Sequence, residues 1–267
     1  MYGSLLWRER GQPKARQWYT FLFGITDIGQ RIRAQAVSRV MWHWRPHSVL
    51  DAGCGYGLWA CTLAKSQQNV TVVGIDLHLS EAVRARRLVL GTGTTNVAIV
   101  CGSLIPPETP LRGQTYDLIV CADVLEHIDD DVGVLRALAS LLLPDGRLVI
   151  HVPAARHPRP MLARWFPRLA QLDYPDHVRE GYLPNELRSK LGEAGLTMDQ
   201  MKWTWGPASR LAVEVQALIP PRRFIWTAIA TPLLAALAWC DPFFHWLPAY
   251  SAHANGLLAV ASAKTRS

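Results

Sequence analysis

The stretch VLDAGCGYG, residues 49–57, constrains the fold of this chain more than any other. A short apolar run ends in an acid, Asp51, and three glycines follow at alternate positions, 53, 55 and 57. A dinucleotide-binding loop would need a third glycine at position 58, where Leu58 stands. Backbone this bare lets a ligand approach closely, and a helix that starts near residue 57 favours an anionic group, a carboxylate as well as a phosphate.

The pattern around this loop predicts alternating strands and helices over residues 48–152. The runs NVTVVGIDL, NVAIVCG and TYDLIVCAD are continuous and apolar, whereas SEAVRARRLVLG and DVGVLRALASLLLPDG have helical spacing. Continuous apolar strands separated by helices indicate a parallel sheet that is covered on both faces. With right-handed crossovers this makes a doubly wound α/β domain, whose ligand lies at the carboxyl ends of the strands.

The segments on either side extend this prediction. The pattern predicts helices over residues 12–45 and an amphipathic helix over LPNELRSKLGEAG. It predicts two further strands over LTMDQMKWTWG and NGLLAVASAK. At 267 residues the chain can bury one full core with an elaboration.

A second acid, Asp76, ends the second predicted strand, 25 residues after Asp51. A carboxylate at that place can accept hydrogen bonds from both hydroxyls of a ribose. Together, the loop and this acid favour a ligand with a charged amino-acid end and a nucleoside over a pyrophosphate.

Four stretches, VLDAGCGYG, VVGIDL, YDLIVCADVLEHIDD and LLLPDGRLVIHVP, resemble the class I S-adenosylmethionine-dependent methyltransferase family. The similarity covers about residues 45–205 and a last strand near 256–264, and DVLEHI resembles the small-molecule branch. The resemblance implies a seven-stranded, mostly parallel, Rossmann-like sheet whose last strand is antiparallel and lies beside the sixth. We divide the chain into an N-terminal helical cap (1–45), a cofactor-binding domain (46–206 and 255–267) and an apolar helical insert before the last strand (207–254).

The resemblance also implies S-adenosylmethionine as the cofactor and assigns residues to each part of it. The implied cofactor-binding residues are Asp51, Gly53, Cys54, Gly55 and Gly57 for the methionine part, Asp76 and Leu77 for ribose and adenine, Gly102, Ser103 and Leu104 for the adenine edge, and Cys121, Ala122, Asp123 and His127 beside the methyl group. Ser103 stands where many members of the family carry aspartate.

Methyl transfer from a sulfonium requires mainly that the reactants are positioned and desolvated, and a base is needed only when the acceptor holds its proton tightly. The candidate catalytic residues are His127, His151, His177 and Tyr182. The segment YPDHVREGYLPNEL, which contains two of them, resembles an element that some members of the family place over the acceptor. The competing interpretation is that these side chains stabilise their own loops.

The segment from Phe224 to Cys240 is 17 residues long and carries no charge. As a helix it would be about 26 Å long, which is slightly short for a bilayer, and Pro232 lies in its middle. Arg222 and Arg223 precede it and Trp226, Trp239 and Trp246 lie near its ends, a pattern typical of an interfacial anchor. The alternatives for this segment are a lid or dimer surface, contact with one side of a membrane, and a true membrane span. A single crossing of the membrane is disfavoured, because the last strand must return to the same sheet.

Composition limits the remaining classes of function. With 49% apolar and 18% charged residues, most of the chain is not disordered. The net charge of +7 comes from scattered basic residues, and the Asp/Asn-Pro-Pro-Tyr/Phe signature of nucleic-acid methyltransferases is absent after the fourth strand, so we predict no nucleic-acid partner. The five cysteines form no CxxC pair, which predicts a reducing compartment and no metal site.

These observations predict a methyltransferase whose acceptor is a small hydrophobic or lipid-linked molecule. Methylation of an oxygen atom of this acceptor is favoured. The alternatives are a protein of this fold that binds S-adenosylmethionine for other chemistry, and a non-catalytic membrane-associated scaffold. No signal peptide is visible, so we expect a cytoplasmic location, with residues 207–250 as a candidate peripheral contact with the inner face of the membrane. A homodimer is a further candidate assembly.

Overall fold

The computed structural model describes residues 14–41, 44–67, 69–105, 110–111, 113–155, 160–171, 177–219, 224–241, 250 and 254–264. The helices are α1 (Lys14–Phe23), α2 (Ile28–Met41), α3 (Leu58–Ser66), α4 (Leu79–Thr92), α5 (Asp131–Ser140), α6 (Pro184–Glu193), α7 (Pro207–Leu218) and α8 (Phe224–Ala238). The strands are β1 (Ser48–Ala52), β2 (Thr71–Asp76), β3 (Val97–Cys101), β4 (Tyr116–Ala122), β5 (Leu142–Pro153), β6 (Leu196–Thr204) and β7 (Gly256–Ala263).

The strands form one sheet in the order β3-β2-β1-β4-β5-β7-β6. Strands β1 to β5 are parallel, and β7 pairs antiparallel with both β5 and β6. The predicted seven-stranded, mostly parallel α/β fold is therefore confirmed, including the position of its antiparallel last strand. Because the strand order reverses between β1 and β4, their carboxyl ends border the crevice where ligands bind in open α/β sheets.

The central strands are apolar throughout because both of their faces are covered. In β4, Leu118 and Val120 belong to the core cluster that includes Val37 of α2, whereas Ile119 and Cys121 belong to the cluster on the opposite face. Full burial of such an aliphatic side chain stabilises the fold by about 1.5–3 kcal/mol. The alternation explains why the sequence shows continuous apolar runs here instead of an apolar and polar alternation.

Helix α5 is shorter than its sequence pattern predicts. It ends at Ser140, and Leu142 already pairs with Tyr116 as the first residue of β5. The register shifts between Tyr116 and Leu118, and a side chain at Gly146 would lie 2.9 Å from two carbonyl oxygens of this irregular stretch. The helix prediction was therefore wrong over residues 142–146, because strand pairing outweighs the helical spacing of LLLPDG.

The apolar insert packs on the N-terminal helices. Leu234 and Ala238 of α8 are buried with Ile28 and Ile32 of α2, and with Ala212 of α7. In the described part of the chain, no helix is both long enough and apolar enough to cross a membrane. Arg222, Arg223 and Trp246 lie outside the described residues. The proposed domain boundaries stay predictions.

One buried carboxylate connects the two helices of the insert. Asp241, just after α8, accepts hydrogen bonds from the backbone N–H groups of Ala208 (2.9 Å) and Ser209 (3.2 Å) in the first turn of α7. These N–H groups have no partner within their own helix, so Asp241 acts as a cap supplied by a distant residue.

We expect Asp241→Ala to lower the free energy of unfolding by about 1–3 kcal/mol, because it leaves two buried N–H donors without an acceptor. Urea denaturation followed by circular dichroism measures this loss. Asp145→Ala, at an exposed position near the start of β5, is the matched control and should change stability by less than about 0.5 kcal/mol. Equal stability of Asp241→Ala and the wild type would contradict the capping role.

Candidate active site

The glycine loop between β1 and α3 has left-handed backbone at all three glycines, with φ of +76°, +50° and +76° at Gly53, Gly55 and Gly57. A Cβ at Gly53 would lie 2.3 Å from Val124 Cγ2, and one at Gly57 would lie 2.8 Å from Ala85 Cβ. A Cβ at Gly55 would meet no atom within 4 Å. Packing therefore requires two of the glycines, whereas the third leaves open space beside the loop that a ligand can enter.

The carboxylate of Asp76 at the tip of β2 is held in place by backbone donors. Its Oδ2 accepts a hydrogen bond from Gly55 N (2.8 Å), and its Oδ1 accepts one from His78 N (2.9 Å). Leu77 follows with 68% of its surface exposed. The tip of β2 thus presents a fixed acid next to an uncovered apolar side chain.

Asp51, at the tip of β1, is buried in a very different environment. Its Oδ2 accepts a hydrogen bond from Ala60 N (3.1 Å), and among the described residues no cation is paired with it. Burial first, and then the nearby charge of Asp76, raise the pKa of Asp51 to about 7. A cationic ligand group beside it would restore the ionised form. Cys54, in the loop between the two acids, is buried.

The predicted adenine-edge residues follow β3. Gly102 N donates to the backbone oxygen of Asp76 (3.0 Å), and Leu104 packs partly against the main core. Ser103 Oγ accepts a hydrogen bond from Ile105 N (3.0 Å), so the hydroxyl stabilises its own turn. This segment lies at the tip of β2, as the sequence predicted. The Ser103 hydroxyl, however, is hydrogen-bonded within its own turn.

At the tip of β4, Asp123 forms the centre of a partly buried polar network. Its Oδ2 lies 2.6 Å from Arg33 Nη1, and its Oδ1 lies 2.9 Å from His151 Nδ1. The backbone φ of Asp123 is 55°, a conformation rare for a residue with a side chain. Burial alone would raise the pKa of Asp123, but His151 and Arg33 outweigh it and hold this pKa well below its ordinary value. Cys121 and Ala122, which precede it, are the last residues of β4, and Cys121 is buried.

The other nitrogen of His151 is also engaged. Its Nε2 lies 3.0 Å from Thr204 Oγ1, and the side chain is 2% exposed. Since both ring nitrogens have partners and the ring is buried, this geometry favours a positioning role, in which His151 holds Asp123, over proton abstraction from an acceptor.

Helix α2 covers this crevice through Arg33 and Gln30, which were not predicted from the sequence. Arg33 reaches Asp123, and Gln30 Oε1 accepts a hydrogen bond from the hydroxyl of Tyr56 in the glycine loop (2.5 Å). Scattered basic and amide residues carry no motif, so only the packing of α2 against the sheet reveals them.

Directly after β4, a short turn of 3₁₀-helix (Leu125–His127) carries Glu126 and His127. Glu126 is 1% exposed, and its Oε2 has no hydrogen-bond partner among the residues that the structure describes. Burial, together with the charge of Asp123, raises its pKa to about 8. The ring of His127 meets that of His177 edge to face, with centroids 4.7 Å apart. One carboxylate oxygen of Glu126 and one ring nitrogen each of His127 and His177 lie within 4.8 Å of one another. Groups in this arrangement could exchange protons or bind a divalent cation. No metal ligands were predicted from the sequence, and no sequence motif links these three residues.

The segment that carries His177 is tied to the turn after β4. Val178 N donates to Glu126 O (2.9 Å), and Arg179 Nη1 lies 2.7 Å from Asp131 Oδ2. Tyr182 is fully buried, and its hydroxyl lies within hydrogen-bond reach of Asp131 Oδ2 (2.8 Å) and Leu125 O (3.1 Å). This geometry favours a structural role for Tyr182 over the catalytic role suggested from the sequence.

Known proteins share this architecture. The sequence profile of a methyltransferase domain family matches residues 8–201. A ubiquinone biosynthesis O-methyltransferase from Vibrio parahaemolyticus is 37% identical over 100 residues, which are 38% of this chain and 41% of that relative. The matched part is therefore less than half of the relative's length.

Solved structures with low sequence identity show the same fold. Magnesium protoporphyrin IX methyltransferase from Synechocystis, solved with bound SAH, superposes with a TM-score of 0.53 at 17% identity and covers 96% of this chain and 91% of its own. The cyclase SpnF superposes with a TM-score of 0.53 at 18% identity over 81% of this chain and 75% of its own. With the family profile covering most of its length, the chain belongs to the class I methyltransferases, with S-adenosylmethionine as its cofactor.

Proposed function

We propose that this protein transfers the methyl group of S-adenosylmethionine to a hydroxyl oxygen of a small hydrophobic acceptor. The observation that carries the proposal is the pair of imidazoles, His127 and His177, at the carboxyl end of β4. The names of the curated relatives, which are O-methyltransferases of ubiquinone biosynthesis, support both the oxygen and the hydrophobic acceptor.

The residues at the strand tips fit the cofactor. Asp51 is a buried carboxylate without a paired cation in the described chain, so it would hold the amino group of the methionine part. Asp76 would bind the ribose hydroxyls, the exposed Leu77 would pack on the adenine, and the open side of Gly55 would admit the ligand. When bound, the cofactor supplies a methyl group on a positively charged sulfur.

His127 is the residue that we expect to take the proton of the acceptor hydroxyl. Glu126 is unsuited, because its raised pKa of about 8 leaves it protonated at neutral pH. His151 has both nitrogens engaged, and Tyr182 is buried in its own network. His127 is exposed and next to His177, so it can be reached by an acceptor. Helix α2, through Arg33 and Gln30, would keep water away from the other side of the crevice.

A second candidate function is supported by one neighbour of this fold. SpnF is described as a cyclase, so the architecture also accommodates chemistry other than methyl transfer. Formation of S-adenosylhomocysteine in the presence of a phenolic acceptor distinguishes the two, because only methyl transfer consumes the cofactor.

We expect Asp76→Ala to weaken S-adenosylmethionine binding at least tenfold, because it removes the ribose acceptor and the partner of Gly55 N–H. Asp76→Asn, which keeps one oxygen for that N–H, should lose less. Isothermal titration calorimetry measures both affinities. The assignment fails if Asp76→Ala binds the cofactor as tightly as the wild type.

We expect His127→Ala to lower kcat for a phenolic acceptor about 100-fold, as loss of a general base does, while the affinity for the cofactor stays the same. His47→Ala is the matched control, since His47 is exposed at the opposite end of the sheet, and should leave kcat unchanged. S-adenosylhomocysteine release is the assay. A normal kcat for His127→Ala would remove it from the reaction.

The state of Glu126 predicts a pH dependence of stability. Because its pKa is about 8 in the folded chain and near 4.5 in the unfolded chain, the folded state holds an extra proton between these values, and the free energy of unfolding falls as pH rises through this window. The free energy of unfolding of Glu126→Gln should therefore fall less between pH 5 and pH 8 than that of the wild type. Urea denaturation at both pH values measures the difference, and parallel losses in variant and wild type would show that Glu126 ionises normally.

A further inference from the structure

Helix α8 is apolar on the face that points away from the protein. Its inner face, with Thr231, Leu234 and Ala238, is buried against the neighbouring helices. On the outer face, Ile229 is 60% and Leu233 is 72% exposed. A helix at a water-facing surface carries polar side chains on its outer face, and α8 has none there, so water is not the environment that this face suits.

Helix α1 continues this surface. The ring of Tyr19 contacts that of Phe224, the first residue of α8, edge to face with centroids 5.7 Å apart. Trp18 and Phe21, three residues apart and therefore on one side of α1, are 64% and 49% exposed. We define the apolar face by six of the exposed apolar side chains of the two helices, Trp18, Phe21, Ile225, Trp226, Ile229 and Leu233.

The two helices of the apolar face carry basic charges, both on α1, whereas the exposed acid Asp27 lies beyond the end of α1. Lys14 and Arg16 are exposed on α1, and the guanidinium of Arg16 lies 5.8 Å from the centre of the Phe224 ring. Between residues 207 and 240 the sole acid is Glu214, which is buried and lies beside Arg210. An anionic surface is therefore complementary to the rim of this face.

We propose that the apolar face lies on the surface of an anionic lipid bilayer, with α8 parallel to the membrane plane. At 15 residues, α8 is about 22 Å long, too short to span the hydrocarbon core but long enough to enter the boundary between headgroups and acyl chains. Trp18 and Trp226 suit that boundary, because indole combines an apolar ring with a hydrogen-bond donor.

This docking places the catalytic crevice close to the lipid. Ile28 and Ile32 of α2 pack under α8, and Arg33 of the same helix contacts Asp123 at the tip of β4. One helix therefore separates the bilayer surface from the crevice. The proposal stands on the exposed side chains and charges alone, so it holds or fails independently of the methyl acceptor.

The test is sedimentation of the full chain with vesicles of phosphatidylcholine alone or mixed in equal parts with phosphatidylglycerol. We expect most of the wild-type protein to sediment with the anionic vesicles. Ile229→Glu/Leu233→Glu should lower the partition coefficient at least tenfold, because it puts two carboxylates on the outer face of α8. Lys14→Glu/Arg16→Glu should weaken binding several-fold on anionic vesicles and leave the weaker binding to phosphatidylcholine unchanged.

Leu90→Glu is the matched control. Leu90 on α4 is 73% exposed, equally apolar and outside the apolar face, so this variant should sediment as the wild type does. Thermal unfolding of each variant shows that the fold is intact, and Leu233→Gln serves if the double variant does not fold. Wild-type protein that stays in the supernatant with anionic vesicles would overturn the proposal. So would a double variant that sediments normally, or a wild-type dimer that the double variant dissociates without any vesicle binding.

Discussion

The ionised carboxylate of Asp123 joins three parts of this structure at the crevice. It pairs with Arg33 of α2 and with His151 of β5, whose second nitrogen reaches Thr204 at the end of β6. An unpaired charge at this partly buried position is unfavourable, and both partners stabilise the ionised form of Asp123. The N-terminal helix, the centre of the sheet and its antiparallel edge are thereby joined at the crevice.

The same carboxylate also sets the chemistry of its neighbour. Burial first, and then the negative charge of Asp123 three residues earlier, raise the pKa of Glu126 to about 8, so this carboxyl holds a proton at neutral pH. In the proposed reaction, the exposed imidazole of His127 is therefore the group that takes the proton of the acceptor. Two acids in one turn are thus kept in different protonation states by their partners, Arg33 and His151 for one and burial for the other.

The sequence predicted those parts of the site that depend on local pattern. The Gly53–Gly57 loop and Asp76 follow consecutive strands, and parallel strands bring their carboxyl ends to one edge, so the order of the apolar runs is enough to predict their proximity. Arg33 and Gln30 could not be found this way, because nothing local distinguishes them from other polar residues on α2. His151 was predicted as catalytic from its place at the end of a strand, and Tyr182 from the resemblance of its segment to an element of the family. Only their hydrogen-bond partners favour structural roles.

The amino-acid sequence alone determined the fold class, the order of strands and helices, the cofactor and the apolar character of the insert, because these follow from periodicity and short motifs. Tertiary structure decided which side chains remain accessible. Helix α5 ends at Ser140 because Leu142 pairs with Tyr116 in the sheet. The rings of His127 and His177, which are 50 residues apart in the chain, are in contact only because of the fold. Burial and hydrogen-bond partners depend on residues far apart in the chain, so no local pattern encodes them.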